Sequence, residues 1–325
     1  MGRRLASIPV SFFSIAVGLL ALANAWRVAG RSWPEVAGAA PAFTLVALVA
    51  WLAIVALYAH KWRSDPASAQ AELRHPVQSA FVALVPVSSL LAALALAPFS
   101  RPLAVGLFSL AVVAQLALGV WLHGRFWQGG RAPESVTPAV YLPAVAQNFV
   151  AATAAASLGW HVPGELFFGV ALFSWLALES MVIQRAAVHD ALAPALRPTL
   201  GIQLAPPVVG GVSWMTLNGG VPDTFAMLLL GYGLYQALVL LRLLPWILEQ
   251  AFSPSYWAFS FGVAALPTLA MRMAQGGAPG LVAWLAPVLF AASNLVFALL
   301  IWKTATMGWA GRLLPQGEIA RSAPG

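Results

Sequence analysis

The feature that most constrains the fold is a series of ten long apolar stretches that follow one another along almost the whole sequence. A helix that crosses the hydrocarbon core of a bilayer, about 30 Å thick, needs about 20 mostly apolar residues. Each stretch has that length, and clusters of Gly, Pro, Asn and Asp separate neighbouring stretches. We therefore predict an all-α integral membrane protein with ten transmembrane helices, at roughly Ser11–Ala29, Phe43–Trp62, Val77–Ala97, Leu103–His123, Tyr141–Trp160, Gly164–Gln184, Thr199–Leu217, Thr224–Leu244, Tyr256–Ala274 and Gly280–Lys303.

Composition excludes the main alternatives to a membrane protein. Only 8% of the 325 residues are charged and 61% are hydrophobic, and the mean hydropathy is +0.83. Soluble domains carry about 25% charged residues, so these charges are too few for a soluble enzyme, a disordered chain or a nucleic-acid-binding protein. No connection is long enough to fold separately, and we predict a single membrane domain over residues 1–325, with spans at 11–303 and the lipid bilayer as its solvent.

The positions of the basic residues predict the orientation of the chain. Cytoplasmic loops of membrane proteins carry an excess of Lys and Arg. With a cytoplasmic N-terminus, four basic residues fall outside (Arg27, Arg31, Arg101 and Arg272) and the others fall inside (Arg3, Arg4, Lys61, Arg63, Arg74, Arg125, Arg131, Arg185, Arg197, Arg242, Lys303, Arg312 and Arg321). We therefore expect both termini in the cytoplasm.

The first apolar stretch has an alternative interpretation. Arg3 and Arg4, the apolar run and Ala23-Asn24-Ala25 resemble a secretory signal with its cleavage site. We favour a span because Pro9 lies at the start of the run, which continues to Ala29, and because its removal would leave one span without a hairpin partner.

The odd-numbered stretches are richer than the even-numbered ones in residues that perturb a helix. Carbonyl groups that Pro leaves without partners must face protein or water rather than lipid. The pattern suggests five kinked inner helices around an axial pore, although Gly and Pro are common in transmembrane helices generally. Candidate kink or pore-lining residues are Ser14, Gly18, Pro86, Ser88, Pro143, Asn148, Pro206 and Ser213, and the alternative role for the polar ones is hydrogen bonding between helices.

Several short sequences, taken together, resemble one known family. They are Phe126–Gly130, Tyr141–Phe149, Gly231–Gly233, Leu241–Ile247 and Trp257–Gly262. They are similar to the TehA family of tellurite-resistance and dicarboxylate transporters, which also contains the slow-type anion channels of plant guard cells. The resemblance runs from the first span to the tenth. It implies five helical hairpins in a quasi-fivefold arrangement around a central pore, a homotrimer with one pore per protomer, and a place in the bacterial inner membrane.

The same resemblance implies a phenylalanine on the ninth helix that closes the pore. The matching residue is Phe261. Phe259 lies two residues earlier, about 200° around a helix, so only one of the two rings can face the axis. Plant relatives tend to have proline at the next position, where this chain has Gly262, a residue that permits a bend without imposing one.

Glu179 and Arg242 are ionisable residues within or near even-numbered spans. Such charges often mark function. We favour a structural role, as a pair or through separate contacts, because a permeating ion should not travel among the outer helices.

Together with the resemblance, these residues predict a gated channel for small monovalent anions, and the resemblance implies that Phe261 occludes it. Two alternatives stay open: a C4-dicarboxylate transporter, for example for malate, and a tellurite-resistance factor. A dicarboxylate carrier should have Arg or Lys at mid-depth, and the odd-numbered stretches show none there, which favours the channel. The chain has no Cys, no zinc-binding His motif, no phosphate loop and no nucleophile–base arrangement, so we expect no enzyme activity, metal, cofactor or nucleic-acid partner.

Overall fold

The computed structural model describes residues 8–278 and 280–314, and this part of the chain consists of helices and connections without a β-strand. Arg3, Arg4 and Arg321, which entered the orientation argument, lie outside the described residues. The α-helices are α1 (Phe13–Ser32), α2 (Ala40–Ser64), α3 (Pro66–Arg74), α4 (Gln78–Phe81), α5 (Leu84–Leu96), α6 (Arg101–Trp127), α7 (Gln147–Ser157), α8 (His161–Val188), α9 (Ala205–Leu217), α10 (Thr224–Ile247), α11 (Ser260–Gln275) and α12 (Gly280–Trp309).

Nine helical segments of the described chain are long and apolar enough to cross a membrane, and they correspond to nine of the ten predicted spans. The stretch at Tyr256–Ala274 is also helical but is not among the nine. It begins as a 3₁₀ segment, Pro254–Phe259, and continues as α11, whose 16 residues rise about 24 Å. By itself α11 is therefore shorter than the hydrocarbon core.

Burial alternates along the chain. In the first, third, fifth and seventh candidate spans, 72% to 100% of the most apolar window is buried, against 22% to 33% in the spans between them and in α12. Most residues of α11 are buried as well. We call α1, α5, α7, α9 and α11 the inner helices, and α2, α6, α8, α10 and α12 the outer helices. Many apolar side chains of the outer helices are exposed, as lipid-facing residues are.

The inner helices contact one another in a closed cycle. Each packs against the next along the chain, and α11 packs against α1. Each inner helix also packs against the outer helix that follows it. Each inner helix of the described chain therefore contacts its two neighbours in the cycle and the outer helix that follows it.

Irregular helix precedes each inner helix. A 3₁₀ segment leads into α1, α9 and α11; the one before α9 is long, Pro194–Leu204. A break in the helix after α4 precedes α5. A π-helical turn, Leu142–Ala146, leads into α7. Pro9, Pro143 and Pro198 lie in or beside these segments, where the missing N–H of Pro interrupts the α-helical hydrogen bonds.

The two ends of the bundle carry different contacts, and we name each after a basic residue. At the Lys61 end, Nζ of Lys61 lies 2.8 Å from Oε1 of Glu72 and donates to the carbonyl of Ile8 at 3.1 Å. The same carboxylate oxygen accepts the backbone N–H of Val10. At the Arg272 end, Gln275 on α11 donates to Val28 O and Ser32 Oγ of α1. The entry and the exit of α1 are therefore both tied to neighbouring elements.

Candidate functional site

Two cavities lie among the inner helices, and Phe261 lines both of them together with Val209. The cavity toward the Lys61 end has a volume of about 30 Å³ and the one toward the Arg272 end about 70 Å³. Phe261 is the second residue of α11. About 14 Å of 3₁₀ helix precedes it from Pro254, and about 16 Å of α-helix follows it to Arg272. The ring of Phe261 therefore lies near the middle of this segment, between two small open volumes.

The cavity toward the Lys61 end is mostly apolar. Ser14, Tyr141 and Ser260 supply the hydroxyl groups in its wall, and Pro206 in the first turn of α9 also lines it. Ser260 donates to the carbonyl of Trp257 at 2.6 Å and to that of Ser14 at 3.4 Å, so its hydroxyl joins α11 to α1.

The cavity toward the Arg272 end is more polar. Thr153, Thr268, Arg27 and Arg272 line it, and it adjoins a wider cavity of about 640 Å³ that shares Arg27 and Arg272. Along α11, Phe261, Ala265, Thr268 and Arg272 lie at helical spacing on one face. A single face of α11 thus runs from an aromatic ring to a guanidinium group.

Phe259 lies on the other side of the same segment. It lines a crevice of about 590 Å³ between α10, α11 and α12, together with Val263 and Leu244, and it lines neither inner cavity. The two phenylalanines therefore have different surroundings, although only one residue separates them.

Gly18 and Gly262 lie where inner helices approach closely. A Cβ at Gly18 would lie 2.6 Å from Cβ of Ser260, and a Cβ at Gly262 would lie 2.8 Å from Cβ of Leu204. Small residues let transmembrane helices pack at short distances. Both glycines thus allow close packing, and Gly262 is the third residue of α11.

Six of the eight candidate kink or pore-lining residues line neither cavity: Gly18, Pro86, Ser88, Pro143, Asn148 and Ser213. Pro86, Ser88 and Ser213 are buried and line neither one; Ser88 donates to Val85 O of its own helix, and the hydroxyl of Ser213 has no partner among the described residues. Asn148 donates to Ala144 O at 2.7 Å and accepts from Gln115 of α6 at 3.5 Å. Its contacts are those of the alternative role, hydrogen bonding between helices.

Pro143, just before α7, and Asn148 on α7 both lie on the side of this span that faces the outer helices. Both line a crevice of about 440 Å³ that Gln115, His123 and Leu166 also line. Pro143 lies in the π-helical turn before α7, and Gln147 donates to its carbonyl. Pro143 thus lies in an interruption of the α-helical pattern, and it lines neither inner cavity.

Glu179 and Arg242 do not form the pair that the sequence suggested as one possibility. Oε2 of Glu179 accepts from Tyr141 at 2.6 Å and from Trp175 at 3.0 Å, and Oε1 accepts from Tyr232 at 2.8 Å and from Gln236 at 3.4 Å. Arg242 is exposed. Glu179 therefore joins α8, α10 and the segment before α7 through neutral donors. Within the described residues, no three His, Asp or Glu residues could hold a metal ion.

Two arginines of the larger inner cavity could not be assigned to it from the sequence. Their positions predict a place in or near loops at the ends of spans, whereas the side chains of Arg27 and Arg272 line a cavity that Phe261 also lines. Among the residues of α11 that line this cavity, a basic side chain first appears about three turns after Phe261, at Arg272. The helical spacing of Phe261, Thr268 and Arg272 was a signal for this face.

Comparisons with known proteins identify the family. The sequence pattern of the SLAC1 family of voltage-dependent anion channels matches residues 7–305 of this chain. The chain belongs to this family. It is 35% identical over 298 residues to a tellurite resistance protein TehA homolog of Haemophilus influenzae, which covers 91% of this chain and 90% of that one.

More distant relatives within this SLAC1 family fit the same assignment. An S-type anion channel of Arabidopsis thaliana, SLAH4, is 25% identical over 330 residues, covering 99% of this chain and 89% of that one. An uncharacterized transporter of Methanocaldococcus jannaschii is 25% identical over 237 residues, which cover 63% of this chain and 67% of that one. Together with the apolar helices, these relatives identify an integral membrane protein of a family of anion channels and transporters rather than of enzymes.

Proposed function

We propose that this protein is a passive channel for small monovalent anions and that Phe261 closes its conduction path. One observation carries the proposal: Phe261 lines two cavities among inner helices that contact one another in a closed cycle. Membership of an anion channel family supports the choice of ion.

The physical basis is the chemistry on the two sides of the ring. An apolar constriction gates a pore by excluding water, because an ion cannot shed its hydration shell without polar groups to replace it. Phe261 and Val209 line both cavities, and in the proposed channel they form this constriction. Hydroxyl groups line the cavity on one side, and hydroxyl and guanidinium groups line the cavity on the other. Conduction then requires the ring of Phe261 to swing aside.

The proposed channel has the architecture that the family resemblance implies. Ten spans, counting Pro254–Gln275, form five hairpins in a quasi-fivefold arrangement around the path, within a single membrane domain. The closed cycle of inner-helix contacts and the hairpin packing support this arrangement. We further propose a homotrimer in the bacterial inner membrane, with the Lys61 end and both termini in the cytoplasm.

The test is anion flux through purified protein in liposomes. We expect Phe261→Ala to raise chloride and nitrate flux about tenfold or more, since each 1.4 kcal/mol removed from a barrier gives about a tenfold rate. Phe259→Ala is the matched control, because it removes the same kind of ring from the crevice between α10, α11 and α12 and not from the inner cavities. Equal flux through wild type and Phe261→Ala would contradict the gate. Saturable, proton-dependent and malate-selective flux would contradict the channel and support a dicarboxylate transporter.

A further inference from the structure

Three arginines gather at the Arg272 end of the proposed path. Arg27 and Arg272 line the cavity that touches Phe261, and Arg31, one turn after Arg27 on α1, joins them in the wall of the wider cavity. We call this wider cavity of about 640 Å³ the vestibule. Gln275 of α11 donates to Val28 O of α1, which ties together the two helices that carry these arginines.

No carboxylate balances these charges. Among residues 8–278 and 280–314, the ion pairs are Lys61–Glu72 and Arg197–Glu249, and neither involves the vestibule. No acidic residue is among the described residues that line either cavity. Three like charges at close range repel one another, and partial burial increases the cost. A mobile anion is the partner that would offset this cost.

The guanidinium groups also keep free hydrogen-bond donors. Arg272 donates from Nη1 to Thr216 Oγ1 at 2.6 Å, while its Nε is buried without a partner among the described residues. Arg27 donates to Leu94 O at 3.2 Å and to Asn24 Oδ1 at 2.9 Å. Each guanidinium has five N–H donors, so these contacts fix the orientation of both groups and leave donors for a ligand.

We infer that Arg27 and Arg272 form a binding site for a small oxyanion at the entrance to the conduction path, with Arg31 adding positive potential at its mouth. The planar fork of a guanidinium matches two oxygens of an oxyanion, whereas a halide offers a single point of contact. The cavity of about 70 Å³ has room for a small ion with a few water molecules. The inference rests on the proposed function, because the site lies on the same path.

Binding can be measured without conduction. We propose thermal unfolding of purified protein while nitrate replaces chloride at constant ionic strength. Nitrate is a better probe than sulfate, which is also an oxyanion, because sulfate stabilises proteins in general by being excluded from their surface. We expect nitrate to raise the unfolding temperature of the wild type with a saturable dependence. Losing one charge-assisted contact should raise the half-saturating nitrate concentration about tenfold in Arg27→Gln and in Arg272→Gln.

Arg101→Gln is the matched control. It removes the same charge at the same end of the bundle, but Arg101 donates to Leu158 O and lines neither cavity. Arg272→Lys keeps the positive charge but removes the planar guanidinium fork, and it should also weaken nitrate binding. This variant replaces Arg272→Gln in the experiment if Arg272→Gln does not fold. An absent nitrate effect in the wild type, or equal half-saturation in wild type, Arg27→Gln and Arg272→Gln, would overturn the site.

Flux measurements separate this inference from the proposed function. Nitrate binding that depends on Arg27 and Arg272, with no anion flux through Phe261→Ala, would support the site and overturn the channel. Flux through Phe261→Ala, with no arginine-dependent binding, would support the channel and overturn the site.

Discussion

Glu179 shows how a single residue can hold several helices together without a counterion. Its two oxygens accept four hydrogen bonds from Tyr141, Trp175, Tyr232 and Gln236. Tyr141 also lines the cavity toward the Lys61 end. The carboxylate therefore links the outer helices α8 and α10 to the wall of the proposed path. Hydrogen bonds to a charged group contribute more than neutral ones, about 1.5–3 kcal/mol each.

Glu179→Gln should therefore lower stability while leaving selectivity unchanged. The Gln amide has one acceptor and one donor group. With its oxygen toward Tyr141 and Trp175, its N–H₂ group takes the place of Oε1, which accepts from Tyr232 and Gln236. Tyr232 and Gln236 must then reorient or lose their contacts. We expect a loss of about 1–3 kcal/mol in the free energy of unfolding, seen as a lower unfolding temperature in detergent.

The matched control for Glu179→Gln is Arg242→Gln. Arg242 is exposed, and its replacement should leave the unfolding temperature near that of the wild type. Selectivity is best measured as the chloride-to-nitrate flux ratio in the Phe261→Ala background. An altered ratio in Glu179→Gln at unchanged stability would refute the structural role.

Helical spacing predicted where some of these side chains point and failed for others. The spacing rule on a helix separates Phe259 from Phe261, and the two rings do line different cavities. Asn148 was harder to place, because a π-helical turn precedes α7 and changes the rotation of the helix relative to regular spacing. Arg27 and Arg272 were missed because long side chains near the ends of spans can reach inward as well as outward.

At the scale of the elements, hydropathy located the helices and proline located their irregular starts. Neither signal could give the kind of irregularity, because a 3₁₀ and a π segment each differ from an α-helix by only one residue in the hydrogen-bond register. Nor could they give the contacts between helices. In the contact between α1 and α11, Ser260 donates a hydrogen bond to the carbonyl of Ser14, 246 positions away in the sequence. The two helices can approach this closely because Gly18, which has no side chain, faces Ser260.

Gly18→Ala tests that contact. The added Cβ would lie 2.6 Å from Cβ of Ser260, so α1 and α11 must move apart. Overpacking of this kind costs about 1–3 kcal/mol, and we expect a matching loss in the free energy of unfolding. In a Ser260→Gly background the same substitution should cost much less, because the opposing Cβ is gone.

Gly106→Ala is the control for Gly18→Ala. Gly106 lies in α6, and a Cβ added there would meet no atom of another element within 4 Å. Ala is also the better helix former. Gly106→Ala should therefore keep or slightly raise stability. Equal effects of the two substitutions would show that helix propensity, not the α1–α11 contact, determines the result.

At the scale of the whole molecule, the two ends of the bundle differ in a way that joins topology to function. The Lys61 end carries most of the basic residues, including Arg125, Arg185 and Arg197. The Arg272 end carries fewer of them, but three line the vestibule. If the Lys61 end is cytoplasmic, as the excess of basic residues predicts, the vestibule opens to the outside. External anions then meet the arginines before they reach Phe261.

This orientation can be measured with single cysteines, because the chain contains no Cys. Ala67→Cys places one thiol on exposed helix α3 at the Lys61 end, and Val221→Cys places one in the exposed connection between α9 and α10 at the Arg272 end. In intact cells a membrane-impermeant maleimide should label Val221→Cys and leave Ala67→Cys unlabelled, since only external thiols are accessible. Both should react once the membrane is permeabilised. The reverse pattern would place the vestibule in the cytoplasm, and the arginines would then meet anions that leave the cell rather than anions that enter it.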